Sequence, residues 1–265
     1  MSANIIAITN QKGGVGKTTT AVNLAFCLAK DQKARVLLVD FDPQGNATSG
    51  LGIEKSTLKS TANPNGAATI LNAISGEAKL TEVIQQTKFK RLDIAPANPN
   101  LADAETGLAK AEKRFQRLRD QLKTVENDYD FILIDSPPSL SMLTVNALIA
   151  AQHVLLPVQA EFFALEGLGQ LLETMKLVRK GLNPTLNLLG VLVTMMSRTT
   201  LSEQVYEEVK KHFPGKVLET KIPRNVRLAE APSHGLPVGA YDKFSKGSRA
   251  YKAAANEIVA RLGIN

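Results

Sequence analysis

Residues 11–19 of the chain read Gln-Lys-Gly-Gly-Val-Gly-Lys-Thr-Thr, between an apolar, β-branched run and a stretch of helical periodicity. Glycines in such a strand–turn–helix unit let backbone N–H groups turn towards a phosphate, and the N-terminus of the helix adds partial positive charge. Lys17 is spaced to reach the β- and γ-phosphates of a nucleotide, and the Thr18 hydroxyl to bind Mg²⁺. The residues predicted to form this phosphate-binding loop are Gly13, Gly14, Val15, Gly16, Lys17, Thr18 and Thr19.

Apolar runs and helical patterns alternate along the whole chain. The runs are continuously apolar, which is typical of strands buried on both faces, and the alternation implies βαβ units. We therefore predict an α/β fold in three layers, a mostly parallel sheet with helices on both faces. The predicted strands are 5–9, 35–40, 92–95, 131–135, 153–158 and 188–194, and the predicted helices are 18–30, 101–126, 141–151, 165–180, 201–212 and 248–262.

The composition bounds the domain organisation and the compartment. No linker divides the 265 residues, so we expect a single ATPase-type domain over 1–265, with no separate N-terminal DNA-reading domain before the first strand. No apolar run approaches the roughly 20 residues that span a bilayer, and we expect a soluble, cytoplasmic protein without stable membrane insertion. The single cysteine, Cys27, excludes an intramolecular disulfide and is expected to be buried.

The loop departs from the standard Walker A motif, because Gln11 stands where that motif has its first glycine. A second lysine, Lys12, stands at the loop entrance instead. The stretch from Lys12 to Thr19 resembles the deviant Walker A motif of the ParA/MinD family of ATPases. The resemblance implies that Lys12 reaches across a dimer to the partner's nucleotide and neutralises charge on the transferred phosphoryl group. The alternative is an exposed lysine without function.

Two carboxylates stand at the ends of predicted strands, where open α/β sheets line their ligand crevice. Asp42 follows the second strand, and the resemblance assigns it to positioning or activating the attacking water near Mg²⁺. Asp135 ends an apolar run in the Walker B pattern and is expected to hold Mg²⁺ through a water molecule, since this ion keeps much of its hydration shell. Asp40 is open between a catalytic role and a cap or turn role.

Longer matching stretches resemble the short ParA proteins of the Soj type, which partition chromosomes or plasmids. These stretches are 42–48, 134–138 and 222–235. The resemblance places Pro223 and Asn225 near the adenine, and Arg198 and Arg227 on a surface that binds double-stranded DNA without sequence preference. It also implies ATP and Mg²⁺ as ligands, an ATP-bound homodimer, a ParB-like partner that stimulates hydrolysis, and association with the nucleoid.

The charge distribution adds modest support for a DNA-binding surface. Between residues 198 and 252 there are eleven Lys and Arg against six Asp and Glu, a surplus of five out of a formal net charge of +7. Lys and Arg clustered on one region are typical of nucleic-acid binding. The same surplus also fits a solvated surface laced with salt bridges.

Three other functions share parts of this pattern. A MinD-like membrane ATPase needs an amphipathic C-terminal helix with bulky apolar and basic faces, whereas residues 251–265 are rich in alanine and are typical of a packing helix. A nitrogenase-reductase-like electron carrier needs cluster cysteines that this chain lacks. A relative with another cargo would keep the fold and the chemistry and change only the partner.

Overall fold

The chain forms one twisted sheet covered by helices on both faces. The structure is a computed structural model that describes residues 2–161, 164–165 and 167–264. Within these residues the sheet has the strand order β3-β4-β2-β5-β1-β6-β7, and every pair is parallel except β3 with β4. The strands are β1 (Asn4–Ile8), β2 (Val36–Asp40), β3 (Gln85–Gln86), β4 (Leu92–Ala95), β5 (Phe131–Asp135), β6 (His153–Gln159) and β7 (Asn187–Thr194).

Helices connect the strands and account for the layers. Short 3₁₀ turns also occur at 55–57, 99–103 and 231–234. The helices are α1 (Lys17–Asp31), α2 (Asn46–Gly50), α3 (Ile70–Ser75), α4 (Leu80–Val83), α5 (Ala104–Gly107), α6 (Arg117–Leu122), α7 (Met142–Ala150), α8 (Leu168–Gly181), α9 (Thr200–His212), α10 (Val226–Glu230), α11 (Val238–Tyr241) and α12 (Lys246–Arg261).

The core lies in two parts, one on each face of the sheet. Alternate residues of each strand point to opposite faces, so Ile6 and Ile8 of β1 pack with α1 and α12, whereas Ile5 and Ala7 pack with the cluster that holds α3 to α9. Both faces of the central strands are therefore buried from solvent. This explains why the strands are continuously apolar, and the predicted three-layer α/β architecture is confirmed.

The predicted helix over 101–126 is wrong. Its residues form a 3₁₀ turn, α5 and α6 with irregular chain between them, and Lys113 adopts a left-handed φ of 54°. The buried side chain of Asn146 in α7 donates to the carbonyl of Arg114 at 2.9 Å and accepts from the N–H of Leu118 at 3.3 Å. This contact with another helix satisfies backbone groups that a continuous helix would pair internally.

Two further differences concern the start of one helix and a short strand that was not predicted. The predicted helix over 165–180 begins at Leu168, and Glu166 lies outside the described residues, as does Asn265 at the end of the predicted tail. The antiparallel strand β3 was not predicted, because two glutamines give no apolar pattern.

Parallel strands bring three chain segments to one edge of the sheet. Asp135 at the end of β5 is the register partner of Ile8 in β1 on one side and of Asp40 in β2 on the other. The phosphate-binding loop starts directly after β1. The carboxyl ends of these neighbouring strands therefore surround the start of α1.

Candidate nucleotide-binding site

The predicted phosphate-binding loop forms an open cradle in front of α1. Gly14 and Gly16 have φ values of 75° and 88°, in the left-handed region that favours glycine. A Cβ atom added to Gly13 or Gly14 would meet no atom within 4 Å, so their backbone faces open space. Backbone N–H groups at a helix N-terminus with room in front of them are suited to phosphate oxygens.

Side chains at the ends of strands hold this loop in place. Thr194 at the end of β7 donates its hydroxyl to the carbonyl of Val15 at 2.8 Å. Asn10 donates to the carbonyl of Pro157 in β6 at 2.8 Å and accepts from the N–H of Lys12 at 3.0 Å. Neither anchor was predicted from the sequence, although their position at strand ends on the same edge was a usable signal.

Lys17 is buried at the start of α1 and its ammonium group is aimed back along the loop. Its Nζ donates to the carbonyl of Lys12 at 3.0 Å. Burial lowers the pKa of Lys17, and the nearby carboxylates of Asp135 and Asp42 oppose that shift. Lys17 therefore lies close to Asp42 and Asp135, the two acidic residues predicted for the site. A lysine that contacts the phosphates beside these carboxylates needs this position.

Asp135 is a buried carboxylate without a hydrogen-bond donor among the described residues. The residue is 0% exposed, and neither carboxylate oxygen has a donor within hydrogen-bonding geometry among the described residues. Burial raises its pKa well above the ordinary value, the negative charges of Asp40 and Asp42 act in the same direction, and the side chain of Thr18 and the charge of Lys17 act against it. An unpaired buried carboxylate is destabilising, and a bound cation would compensate it.

Asp42 and Asp40 have different surroundings although they are two residues apart. The Oδ1 atom of Asp42 accepts a hydrogen bond from the N–H of Gln44 at 2.9 Å. In Asp40, Oδ2 accepts from both the N–H and the hydroxyl of Thr48, each at 2.7 Å. Burial raises the pKa of Asp40 to about 6, and the two Thr48 bonds oppose that shift. Asp40 thus fastens the loop after β2, which is the turn role that the sequence left open.

The side chains at the carboxyl ends of β1, β2 and β5 suit Mg²⁺ better than they suit a cation that takes all its ligands from the protein. Among the described residues no group of three or more His, Cys, Asp and Glu side chains has the arrangement of a metal cage. Mg²⁺ takes few protein ligands beside phosphates and waters. The unpaired oxygens of Asp135, with the Thr18 hydroxyl near them, supply such a set.

Comparison with known proteins gives consistent matches over most of the chain. The AAA domain family pattern matches residues 3–188. The chain is 53% identical to the sporulation initiation inhibitor protein Soj of Bacillus subtilis, over 97% of this chain and 98% of that protein. It is 48% identical to the chromosome partitioning protein ParA of Myxococcus xanthus, over 97% of this chain and 88% of that protein. The chain belongs to the ParA/Soj family of partitioning ATPases.

A solved structure supports the family's nucleotide and magnesium binding. The cobyrinic acid a,c-diamide synthase of Mycobacterium smegmatis, with bound ADP and magnesium, has a TM-score of 0.84 and 35% identity. The similarity covers 98% of this chain and 96% of that one. A second structure of the same protein holds an ATP analogue with magnesium.

In this ParA/Soj family member, the segment predicted to lie near the adenine runs beside the exit of β7. Pro223 pairs with Met196 in a parallel bridge, and the N–H of Arg224 donates to the Met196 carbonyl at 3.0 Å. The Oδ1 atom of Asn225 caps α10 by accepting from the N–H of Arg227 at 2.9 Å. Since the last residue of β7 also holds the loop, the segment reaches the same edge of the sheet as the phosphate cradle.

The two arginines predicted to bind DNA lie on adjoining exposed segments but differ in their ion pairs. Arg198 pairs with no carboxylate among the described residues. Arg227 pairs with Glu230 at 2.8 Å and with Asp242 at 3.4 Å. The pairs of Lys221, Arg224 and Lys252 are also formed. The basic region therefore combines the two alternatives that the sequence left open, a free cationic surface and a salt-bridged one.

Two other predictions concern side chains away from the carboxylates. Lys12 is partly buried at the loop entrance, and its side chain forms no ion pair with a described residue. Cys27 is buried as expected, and burial raises the pKa of its thiol to about 12, so the group is protonated and unreactive. Within the described part of the chain, no helix is long and apolar enough to cross a bilayer.

Proposed function

We propose that this protein is an ATPase that segregates DNA, and that it hydrolyses ATP to ADP and phosphate at the edge formed by β1, β2 and β5. The observation that carries the proposal is the unpaired buried carboxylate of Asp135 beside the open glycine cradle. A nucleoside triphosphate would occupy the glycine cradle, and its divalent cation would compensate the Asp135 carboxylate. Relatives that are named as chromosome partitioning proteins, and that match 97% to 98% of this chain, support the cellular role.

The phosphate loop binds and orients the triphosphate. Backbone N–H groups of 13–19 surround the phosphates, and Lys17 places its charge against the β- and γ-phosphates. The side chain can do so because, among the described residues, its ammonium group donates only to the Lys12 carbonyl at the loop entrance. Pro223 and Asn225 lie beside the adenine. Positioning and charge neutralisation are the main contributions that a protein makes to phosphoryl transfer.

Thr18 and Asp135 would hold Mg²⁺, the latter through water, with Asp42 in its neighbourhood. The ion would supply charge neutralisation on the phosphate oxygens. Asp42 orients the attacking water: its Oδ1 is fixed by the Gln44 N–H, which leaves Oδ2 for the water molecule. Lys12 is the catalytic residue of the neighbouring subunit's site, where its ammonium group meets charge that develops in transfer.

ATP-dependent dimerisation links this chemistry to DNA. Two ATP-bound subunits close face to face and join two basic surfaces, each with Arg198 and Arg227, into one site for non-specific double-stranded DNA. Hydrolysis removes the γ-phosphate contacts that hold the dimer, and DNA is released. A ParB-like partner stimulates the reaction, the protein is cytoplasmic and associated with the nucleoid, and residues 1–265 act as one domain.

Two observations weigh against the alternatives. The helix α12, in which a MinD-like protein would need an exposed apolar face, buries Tyr251, Ala254, Ala255 and Ile258 against α1. Identity to Soj, at 53%, exceeds the 35% identity to the amide synthase, whose name denotes another reaction. We therefore propose DNA rather than a membrane or a small acid as the partner of this protein.

Sedimentation and duplex DNA binding, measured without nucleotide, with ADP, and with a non-cleavable ATP analogue and Mg²⁺, test the proposal. We expect a dimer and tight DNA binding with the analogue only. Arg227→Ala should weaken DNA binding and leave the dimer intact, with Arg179→Ala on α8 as the matched control. A protein that stays monomeric with the analogue, or a wild type that ignores DNA, contradicts the proposed function.

A further inference from the structure

A second concave site lies at the far end of α1 from the phosphate loop. Its larger cavity encloses about 720 Å³, and a smaller one of about 280 Å³ continues it past Lys30, Lys243 and Phe244. We call the joined cavities the basic aromatic groove. The cations that line the larger cavity are Lys30, Lys88, Lys90, Arg91 and Lys243, and its phenylalanines are Phe26, Phe89 and Phe244.

The groove lies at the opposite edge of the sheet from the nucleotide. Lys88 to Arg91 precede β4 at its amino end, whereas the phosphate cradle is at the carboxyl ends of the strands. One wall descends along α1: the Asn23 side chain accepts from the N–H of Val238 at 2.6 Å, and Gly239 packs on Phe26. A Cβ on Gly239 would stand 2.8 Å from that ring, so the close approach requires glycine.

The positive charge in the groove is not compensated by the protein. None of the five cations of the larger cavity forms an ion pair with any residue that the structure describes. The two carboxylates in the lining are already paired, Asp242 with Arg227 at 3.4 Å and Asp31 with Lys252 at 3.2 Å. Arg91 has a left-handed φ of 66°, immediately before β4, and lines the larger cavity. A polyanion is the ligand class that complements such a surface.

Three lysines of the groove each lie close to the ring of a phenylalanine. Lys30 lies 5.1 Å from the ring centre of Phe26, Lys88 lies 5.6 Å from that of Phe89, and Lys243 lies 4.8 Å from that of Phe244. One nucleotide of an unpaired strand offers the matching pair, an anionic phosphate and a flat base with a free face. Proteins bind single strands through cationic grooves with aromatic rings on which bases stack. Phe244, at 77% exposure, offers its ring to a base, whereas Phe26 is 6% exposed and packs edge-on against Phe89.

We propose that the basic aromatic groove binds a single strand of nucleic acid. Duplex DNA would use the lysines but not the rings, because its bases are stacked inside the helix. A lipid surface fits less well, since the groove is concave and Phe244, at 77% exposure, is a single protruding apolar side chain instead of an extended apolar face. The site lies on one subunit and away from the triphosphate, so binding does not depend on ATP or on dimerisation.

Fluorescence anisotropy with a labelled twelve-residue oligo-dT or oligo-rU strand, at low salt, tests this inference. Binding of either strand supports it, and the tighter one identifies the natural sugar. We expect Phe244→Ala to weaken binding about fivefold or more, the lower range for one stacked base. Leu177→Ala, on the other face of the sheet and 71% exposed, is the matched control and should bind as wild type.

A double variant tests the charges. Lys88→Ala with Lys90→Ala should reduce the magnitude of the salt slope of log K by about 0.7 for each phosphate that is no longer neutralised. Lys176→Ala with Lys180→Ala, exposed on α8, removes the same charge and should leave the slope unchanged. Affinity for the oligonucleotide should be the same without nucleotide, with ADP and with the ATP analogue.

Three results would overturn the inference: no binding of either oligonucleotide, equal binding by wild type and the groove variants, or lysine variants that weaken duplex and single strand alike while Phe244→Ala changes neither. Vesicles of anionic lipid that bind wild type but not Phe244→Ala, without oligonucleotide binding, would reassign the groove to a membrane. Duplex binding that requires the ATP analogue is measured separately, so a failure of the proposed partitioning function leaves this test intact.

Discussion

The ends of β2 and β5 carry carboxylates that stand side by side in the sheet and have opposite surroundings. Asp40 and Asp135 are register partners, and both are 0% exposed. Asp40 accepts two hydrogen bonds of 2.7 Å from Thr48 and a longer one, 3.4 Å, from the N–H of Asp42. Asp135 accepts none from the described residues.

This difference separates a structural acid from one that is suited to a ligand. A buried carboxylate that is satisfied by the protein contributes to the fold, whereas one without donors destabilises the protein until something else compensates its charge. Both residues follow an apolar strand, so the sequence pattern around them is similar. Each of the following substitutions is expected to affect either the ligand site around Asp135 or the hydrogen bonds around Asp40, and to leave the other intact.

The largest effect is expected at Asp135. Asp135→Asn removes the charge that Mg²⁺ needs, and Mg²⁺-dependent ATP hydrolysis should fall about 100-fold or more, the equivalent of several kcal/mol of charge stabilisation. The same change replaces a buried carboxyl group that accepts no hydrogen bond from the described residues, so the melting temperature without nucleotide should not fall. Steady-state phosphate release and thermal unfolding measure the two effects, and a variant with normal activity or a lower melting temperature contradicts the assignment.

The opposite result is expected at Asp40. Asp40→Ala leaves the buried N–H and hydroxyl of Thr48 without an acceptor, and the free energy of unfolding should fall by about 3 kcal/mol. Asp40→Asn should restore most of this loss, since one amide oxygen can accept both bonds. Urea unfolding of the two variants decides the point. If asparagine at position 40 reduces stability as much as alanine does, the charge itself is required and the two carboxylates are more alike than proposed.

Thr48 gives an intermediate effect on the same side of the comparison. Its hydroxyl donates to Asp40 and accepts from the N–H of Ala97 at 3.0 Å, so it joins the ends of β2 and β4. Thr48→Val keeps the shape and removes both bonds, and unfolding stability should fall by about 1.5 kcal/mol. ATP affinity should stay within about twofold of wild type, as measured by isothermal calorimetry, because Asp135 and the loop are untouched.

The smallest effect is expected at the anchor of the loop. Thr194→Val removes the hydroxyl that holds the Val15 carbonyl, and the dissociation constant for ATP should rise about fivefold, the equivalent of about 1 kcal/mol. Thr174→Val on α8 also removes one hydroxyl–carbonyl bond, to Gln170, and serves as the control. Equal ATP affinity in the two variants would show that the loop keeps its shape without the anchor.

Much of the fold and of the candidate site could be predicted from the sequence. The apolar runs located all of the long strands, and the loop from Lys12 to Thr19 located the phosphate cradle, because both signals arise from residues that are close in sequence. The roles of Lys12, Pro223, Asn225, Arg198 and Arg227 stay predictions from resemblance.

The irregular region between α5 and α6 shows where sequence patterns were insufficient. Residues 101–126 carry helical periodicity, yet Asn146 of α7 binds one backbone group in the irregular stretch, at Arg114, and one in α6, at Leu118. A local pattern cannot report a donor that comes from another helix. The basic aromatic groove is a similar case, since its walls come from α1, from the turn before β4 and from the chain after α11.

Local chemistry was enough to determine that this chain builds a phosphate loop between a buried strand and a helix, since glycine conformations and apolar periods act over a few residues. Tertiary structure alone decided that Asp40 accepts hydrogen bonds from the protein and that Asp135 accepts none from the described residues. The two short hydrogen bonds of Asp40 come from a residue eight positions away, and the hydroxyl that holds Val15 comes from one 179 positions away. Hydrogen bonds and burial depend on distance in space, which only the folded chain defines.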